Sequence, residues 1–278
     1  MLRDARTRRC RPWLGTYVEI ETEGDASVID VGFDAIAEVH RRMSFHEPTS
    51  DLALMRDTTA GEIIQVSRLT VEVLEIALDL FRASGGVFDV SIGRELVRDG
   101  FLPKSRIGWK NATGHLTDLE ILDECSVRLH RPLLIDLGGI AKGYAVDRAV
   151  AAMQAAGCKR GLVNAGGDLR TFGNQASTIT LRNPDGSLGE TVSLIDSAMA
   201  TSSNLHSRKR RWGISCSPHR GPNGRSIFSK GCVSVIAPRC VIADAMTKVA
   251  LADRQLAQDL LAAHGGYILE SGITRAAA

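Results

Sequence analysis

The chain has 278 residues, 44% of them hydrophobic and 24% charged, with a formal net charge of +2. That composition suits a globular protein with a substantial core and leaves disorder to the ends. The near-balanced charge argues against the basic field of nucleic-acid binders, and no apolar run approaches the ~18 residues that would cross a bilayer, so neither nucleic acid nor membrane is an expected partner.

The N-terminus carries positive charge with no apolar stretch behind it, unlike a secretory leader. The six cysteines, Cys10, Cys125, Cys158, Cys216, Cys232 and Cys240, form no CxxC pair and match no common zinc spacing. Scattered thiols of this kind suit a reducing compartment, so the expected address is cytoplasmic.

Along the chain, Leu14 to Glu21 alternates in the manner of a strand, with Leu14, Thr16, Val18 and Ile20 on one side. Helical spacing follows over 27–43, through Ile29, Phe33, Ile36, Val39 and Met43, and again over 68–83, where Gly85-Gly86 ends the pattern. Residues 89–125 read as loops and edge strands. Leu133 to Leu137 is a short apolar run closed by Gly138-Gly139, 140–156 is an alanine-rich helix, and 161–164 is a strand closed by Gly166-Gly167. Strand, helix and strand of this length predict a parallel crossover, with both Gly-Gly turns at one edge of the sheet, where open α/β sheets bind ligands. Strands are expected over 178–182, 190–195, 231–237 and 267–270, a loop over 203–226, and helices over 243–252 and 254–263. The mixture without strict alternation reads as α+β, in one domain over 1–278. The basic run Arg208-Lys209-Arg210-Arg211 reads as a solvated loop ahead of a phosphate or nucleic-acid contact.

Three segments carry candidate chemistry. In Asp136-Leu137-Gly138-Gly139-Ile140-Ala141-Lys142, bare glycine backbone and a helix N-terminus offer a phosphate site, and Lys142 can neutralise a diphosphate or pair with Asp136; a plain tight turn reads the same way. In Asn164-Ala165-Gly166-Gly167-Asp168, an amide and a carboxylate flank a turn and suit ribose hydroxyls or a metal-bound water, or only a strand turn. In Ala243-Asp244-Ala245-Met246-Thr247-Lys248, Asp244 shares a helix face with Thr247 and Lys248. It serves there either as an Mg²⁺ ligand or as the partner of Lys248 in an i,i+4 pair.

In this order the three segments resemble the ApbE family of FAD:protein FMN transferases. Further matches are Leu14-Gly15-Thr16, Met43-Ser44-Phe45-His46-Glu47-Pro48-Thr49-Ser50, Phe88-Asp89 and Ala200-Thr201-Ser202. The resemblance implies an α+β protein that binds FAD with Mg²⁺ on the diphosphate and attaches FMN through its phosphate to a Thr or Ser of an acceptor flavoprotein, releasing AMP. A non-catalytic flavin carrier or sensor and an FAD diphosphatase stay open beside it. Carried over by motif, Asp244 and the Ala141 carbonyl hold the metal, with Lys248 and Thr247 beside them as catalytic candidates. Gly138, Gly139 and Lys142 border the diphosphate. His46, Gly166, Gly167, Asp168 and Thr201 line the flavin nucleotide.

The chain departs from the family pattern at four places. Lys248 stands where the metal motif has Thr, so an ammonium either occupies the cation's place or repels the ion. Ile214 and Ser217 stand where the family has His and Asp. His46 replaces an aromatic ring expected to stack on the flavin. Ser203 and Arg56 replace a Gly and an Asn.

Overall fold

The computed structural model describes residues 6–104, 108–183, 185–203, 207–211, 213–229 and 231–269. The chain opens with a hairpin, β1 (Arg6–Trp13) and β2 (Thr16–Glu23), joined by Leu14 and Gly15 at φ of +57° and +72°. Two positive φ values make the tight turn that fits the twist of a hairpin. Leu14 is therefore a turn residue and not the first residue of a strand; alternation alone did not reveal the reversal. From Thr16 onward the alternation holds, with Val18, Ile20 and Thr22 fully buried and Tyr17 exposed.

Helix α1 (Val28–Met43) packs beneath this hairpin, and α2 (Asp51–Asp57) follows, capped by the Ser50 hydroxyl on the Ala53 N–H. A small sheet of β3 (Ile63–Gln65), β4 (Leu119–Asp123) and β5 (Ser126–Leu129) encloses α3 (Arg68–Ala83) and α4 (Gly93–Arg98) in sequence. The α3 boundaries are those its spacing predicts, with Ser67 capping the Thr70 N–H. After α5 (Ala141–Ala155) the chain forms β6 (Gly161–Ala165) and β7 (Asp168–Phe172), then the hairpin β8 (Ser177–Arg182) and β9 (Leu188–Leu194), then β10 (Ala198–Ser202). The segment expected to be loop holds a short hairpin, β11 (Lys209–Arg211) and β12 (Ile214–Cys216). The chain closes with β13 (Val233–Ala237), α6 (Cys240–Ala252), α7 (Arg254–Ala263) and β14 (Tyr267–Ile268); Glu270, the expected end of that strand, lies outside the described residues.

Among the described residues the main sheet has seven strands in the order β1-β2-β6-β7-β10-β13-β14, and every adjacent pair is antiparallel. The parallel crossover expected around the two Gly-Gly pairs is not formed. Leu133 to Leu137 belongs to no strand: the Leu134 carbonyl accepts the Gly93 N–H at 3.0 Å, and the Asp136 N–H donates to the Val90 carbonyl at 2.8 Å. A short buried apolar run satisfies its backbone equally well against a loop or a sheet ladder, and hydrophobicity does not separate the two. Strand β6 pairs instead with β2 and β7, and Gly166-Gly167 is the two-residue turn between β6 and β7, at φ of +66° and +101°. Gly138 and Gly139 have no positive φ.

Helices α5 and α6 lie on one face of this sheet, and the hairpin β8–β9 lies toward the other, over Leu169, Met199 and Ile236. The main buried cluster draws on residues from Val18 to Ile268.

Candidate functional site

Helices α5 and α6 approach so closely that a Cβ on Gly143 would lie 2.3 Å from the Cys240 carbonyl oxygen and 2.8 Å from the Asp244 Cβ. Only glycine fits. Each helix also supplies the carboxylate that caps the other. Asp147 of α5 accepts the Cys240 and Val241 N–H groups at 3.0 and 2.9 Å, and Asp244 of α6 accepts the Gly143 N–H through Oδ2 at 3.0 Å. The anion at the start of α5 is thus a side chain of the protein itself, in the position where the sequence suggested a ligand phosphate. Helix α6 begins three residues earlier than expected, so Asp244 stands in its second turn.

Around Asp244 three further charges are gathered. The Lys248 ammonium contacts Asp244 Oδ1 and lies 3.0 Å from the Asp244 carbonyl oxygen; Lys142 is 3.5 Å from Oδ2 and bonds Asp168 on β7. Burial pushes the Asp244 carboxyl up, but the Lys142 and Lys248 charges outweigh it and hold the group below the usual carboxylate range. Asp168 is pushed up, first by burial and then by the Asp244 charge. Lys142 resists its burial and stays protonated because Asp244 and Asp168 face it. Thr247 donates to the Asp244 carbonyl at 2.7 Å and meets the Ser202 hydroxyl at 2.7 Å, so the second turn of α6 is tied to β10.

Beside this cluster opens a cavity of about 440 Å³, lined in part by Asp136, Gly138, Gly139, Arg220, His219 and Lys248. Arg208 and Lys209 of the basic run also line it; Lys209 bonds the Gly100 carbonyl at 2.7 Å and lies 5.1 Å from the Phe101 ring centre. Arg220 is buried on Asp99 at 2.8 Å, with its Nε unpartnered among the described residues. Burial raises the Asp136 carboxyl, against a hydrogen bond from Gly138 and the His46 and Lys142 charges.

His219 is the residue that motif comparison passed over. Ile214 stands at the family's His position, yet five residues on an imidazole enters the cavity wall, with Nε2 3.4 Å from the Ser203 carbonyl oxygen. Burial first, then the Lys248 charge, depresses it to about 4, so it is a neutral base at pH 7. The only sequence signal was a histidine within a Pro- and Gly-rich segment.

Of the predicted site residues, Gly138, Gly139, Ala141, Lys142, Asp168, Asp244, Thr247 and Lys248 converge on the α5–α6 crossing or the cavity beside it. Gly166, Gly167 and Thr201 line a different depression, a groove of about 1120 Å³ between the sheet and β8–β9. Thr201 bonds Ser234 at 2.8 Å on that side, and its neighbour Ser202 is the one that reaches α6. His46 is exposed between α1 and α2 and is not part of the cavity lining.

Asp244 as arranged does not suit Mg²⁺. Each of its oxygens already meets an N–H or an ammonium, whereas Mg²⁺ demands oxygen ligands at about 2.1 Å in octahedral array. Among the described residues no group of three or more His, Cys, Asp or Glu could hold a metal ion.

An antiparallel sheet carrying two closely packed helices makes this an α+β protein, with a cavity beside the start of α5 whose lining mixes Arg208, Lys209, Arg220 and Lys248 with Asp89, Asp136 and apolar side chains. The chain belongs to the ApbE family, whose family model matches residues 14–267. It is 27% identical over 259 residues to the FAD:protein FMN transferase of Vibrio cholerae, covering 84% of this chain and 78% of that protein. It is 29% identical to the enzyme of the same name from Rhodobacter capsulatus, covering 83% of this chain and 48% of the relative. In fold it resembles the ApbE protein of Thermotoga maritima, with a TM-score of 0.83 at 24% identity over 96% of this chain and 97% of the other. It also resembles the flavin transferase ApbE of Vibrio cholerae, with a TM-score of 0.79 at 23% identity over 95% and 93%.

Proposed function

We propose that this chain is an FAD:protein FMN transferase: it binds FAD and passes the FMN moiety to a Thr or Ser hydroxyl of an acceptor flavoprotein, releasing AMP. The observation that carries the reading is the cavity at the start of α5. There the Gly138-Gly139 segment, the Lys248 ammonium, Arg208 and Lys209 line one cavity. Fixed positive charge on a cavity wall suits a diphosphate.

In the transfer, the acceptor hydroxyl oxygen forms a bond to the phosphorus on the FMN side. The bond from that phosphorus to the bridging oxygen breaks, and AMP departs with the oxygen. Negative charge grows on the leaving phosphate, and ammonium groups fixed beside it stabilise that charge without reorganising. The hydroxyl proton must leave as the new bond forms. We assign that proton to His219, an imidazole in the cavity wall that is neutral at pH 7, though a weak base at about 4. The resemblance also implies Mg²⁺, but both Asp244 oxygens are already engaged, by the Gly143 N–H and the Lys248 ammonium.

Incubating the protein with FAD and an acceptor domain, then weighing the acceptor by mass spectrometry, tests the reading. An FMN adduct on a hydroxyl residue is the expected result. Free FMN and AMP without an adduct would mean an FAD diphosphatase, and FAD bound but intact would mean a flavin carrier.

A further inference from the structure

We propose that Lys248 is this chain's own resident cation for the diphosphate, so that FAD engages the site without a divalent ion. The proposal rests on the flavin reading above and adds how the phosphates are neutralised. Three observations lead to it.

Lys248 holds the one oxygen of Asp244 that α5 leaves open. Oδ2 is taken by the Gly143 N–H and faced by Lys142, and Oδ1 by the Lys248 ammonium, which also reaches the Asp244 carbonyl at 3.0 Å. A divalent ion on Oδ1 would have to stand against that ammonium, and two like charges at such range repel strongly away from bulk water.

The lysine is also held in place. Its side chain is 15% exposed, and its stem runs along Gly139, where an added Cβ would lie 3.5 to 3.8 Å from Cε, Cγ and Cδ. The stem therefore lies directly over the backbone expected to border the phosphates, and Lys248 itself lines the cavity.

At the α5–α6 contact itself the charges pair without a metal. Asp168 and Asp244 are balanced by Lys142 and Lys248, leaving no surplus negative charge at the crossing to hold a divalent ion. An ammonium has three donors, and two contacts to Asp244 leave one for a ligand oxygen in the cavity.

The test is FAD affinity of the full chain, read by flavin fluorescence or calorimetry, in EDTA and in millimolar MgCl₂. The expected result for the unaltered protein is the same affinity in both, within about twofold, since nothing is exchanged on adding metal. Lys248→Met should weaken FAD binding by roughly tenfold to a hundredfold in EDTA, the range of a hydrogen bond to a charged group. Lys248→Thr should weaken it equally in EDTA and recover in MgCl₂. A tenfold or larger gain in affinity of the unaltered protein on adding MgCl₂ would overturn the proposal while leaving the flavin reading intact. So would Lys248→Met binding FAD in EDTA as tightly as the unaltered protein. Absence of FAD binding in both conditions would instead sink the flavin reading itself. The comparison with and without metal needs no variant, so it stands even where a substitution prevents folding.

Discussion

The two faces of the main sheet are built from the same strands and do opposite things. On one face, Asp168, Arg170 and Ser202 reach α5 and α6, and each meets a fixed partner: Lys142, Asp147 and Thr247. On the other, Leu169, Met199 and Ile236 meet the β8–β9 hairpin, and the turn glycines Gly166 and Gly167 open onto a wide groove. Side chains alternate along a strand, so neighbouring residues of one motif are sent to different chemistry. Thr201 and Ser202 are adjacent in sequence, and only Ser202 touches the helix that carries Asp244.

The largest way to break this contrast is Asp244→Ala. It leaves the Gly143 N–H unpaired and Lys142 and Lys248 without their shared carboxylate, so chemical denaturation should show a loss of about 3–5 kcal/mol. A loss below about 1 kcal/mol would mean the charged crossing is no tighter than a surface ion pair. Gly143→Ala comes next, because its Cβ would overlap the Cys240 carbonyl; the expected cost is about 1–3 kcal/mol or more, read as a lower melting temperature.

A pH titration sharpens the same side. His219 has an ordinary value of 6.5 and is depressed to about 4 in the fold, so the unfolded chain takes up the proton first. Stability from this group is fully present above pH 6.5, falls as the pH drops from 6.5 towards 4, and is lost below that. His219→Asn should flatten that slope in acid denaturation. If His219 also accepts the acceptor's proton, the same variant should lower kcat while FAD affinity holds.

The smallest effects separate adjacent residues. Ser202→Ala breaks the bond to Thr247 and should cost about 1 kcal/mol. Thr201→Val, on the groove side, should change FAD affinity by less than about twofold, below the ~1.4 kcal/mol that a tenfold change represents. Equal losses of FAD affinity from both variants would erase the distinction between the faces.

Much of the architecture was legible from sequence. Helices α1, α3, α5 and α7 lie within a residue or so of where the sequence puts them, because helical spacing is a local signal, joined in α3 by the Ser67 cap and in α7 by the Asp253 cap. The alternation of β2 and the identity of the Asp168, Lys142 and Asp244 segments were equally readable. The apolar run before Gly138-Gly139 was not, since burial of Leu133 to Leu137 says nothing about whether a ladder or a loop accepts its backbone. Nor was the hairpin turn at Leu14, where a leucine takes a φ that favours glycine.

What sequence alone determined is most of the longer helices and the residue types that carry charge: two helices each opening near a carboxylate, two glycine pairs, and a lysine four residues past Asp244. What only the tertiary structure decided is which of these meet. The antiparallel order of the sheet places Asp168 under Lys142, and Gly143 lets α5 and α6 close until each caps the other. The alternation of β10 then admits Ser202 and turns Thr201 away. Those outcomes depend on distances between residues up to 101 positions apart, such as the Gly143–Asp244 bond, and no local pattern encodes such distances.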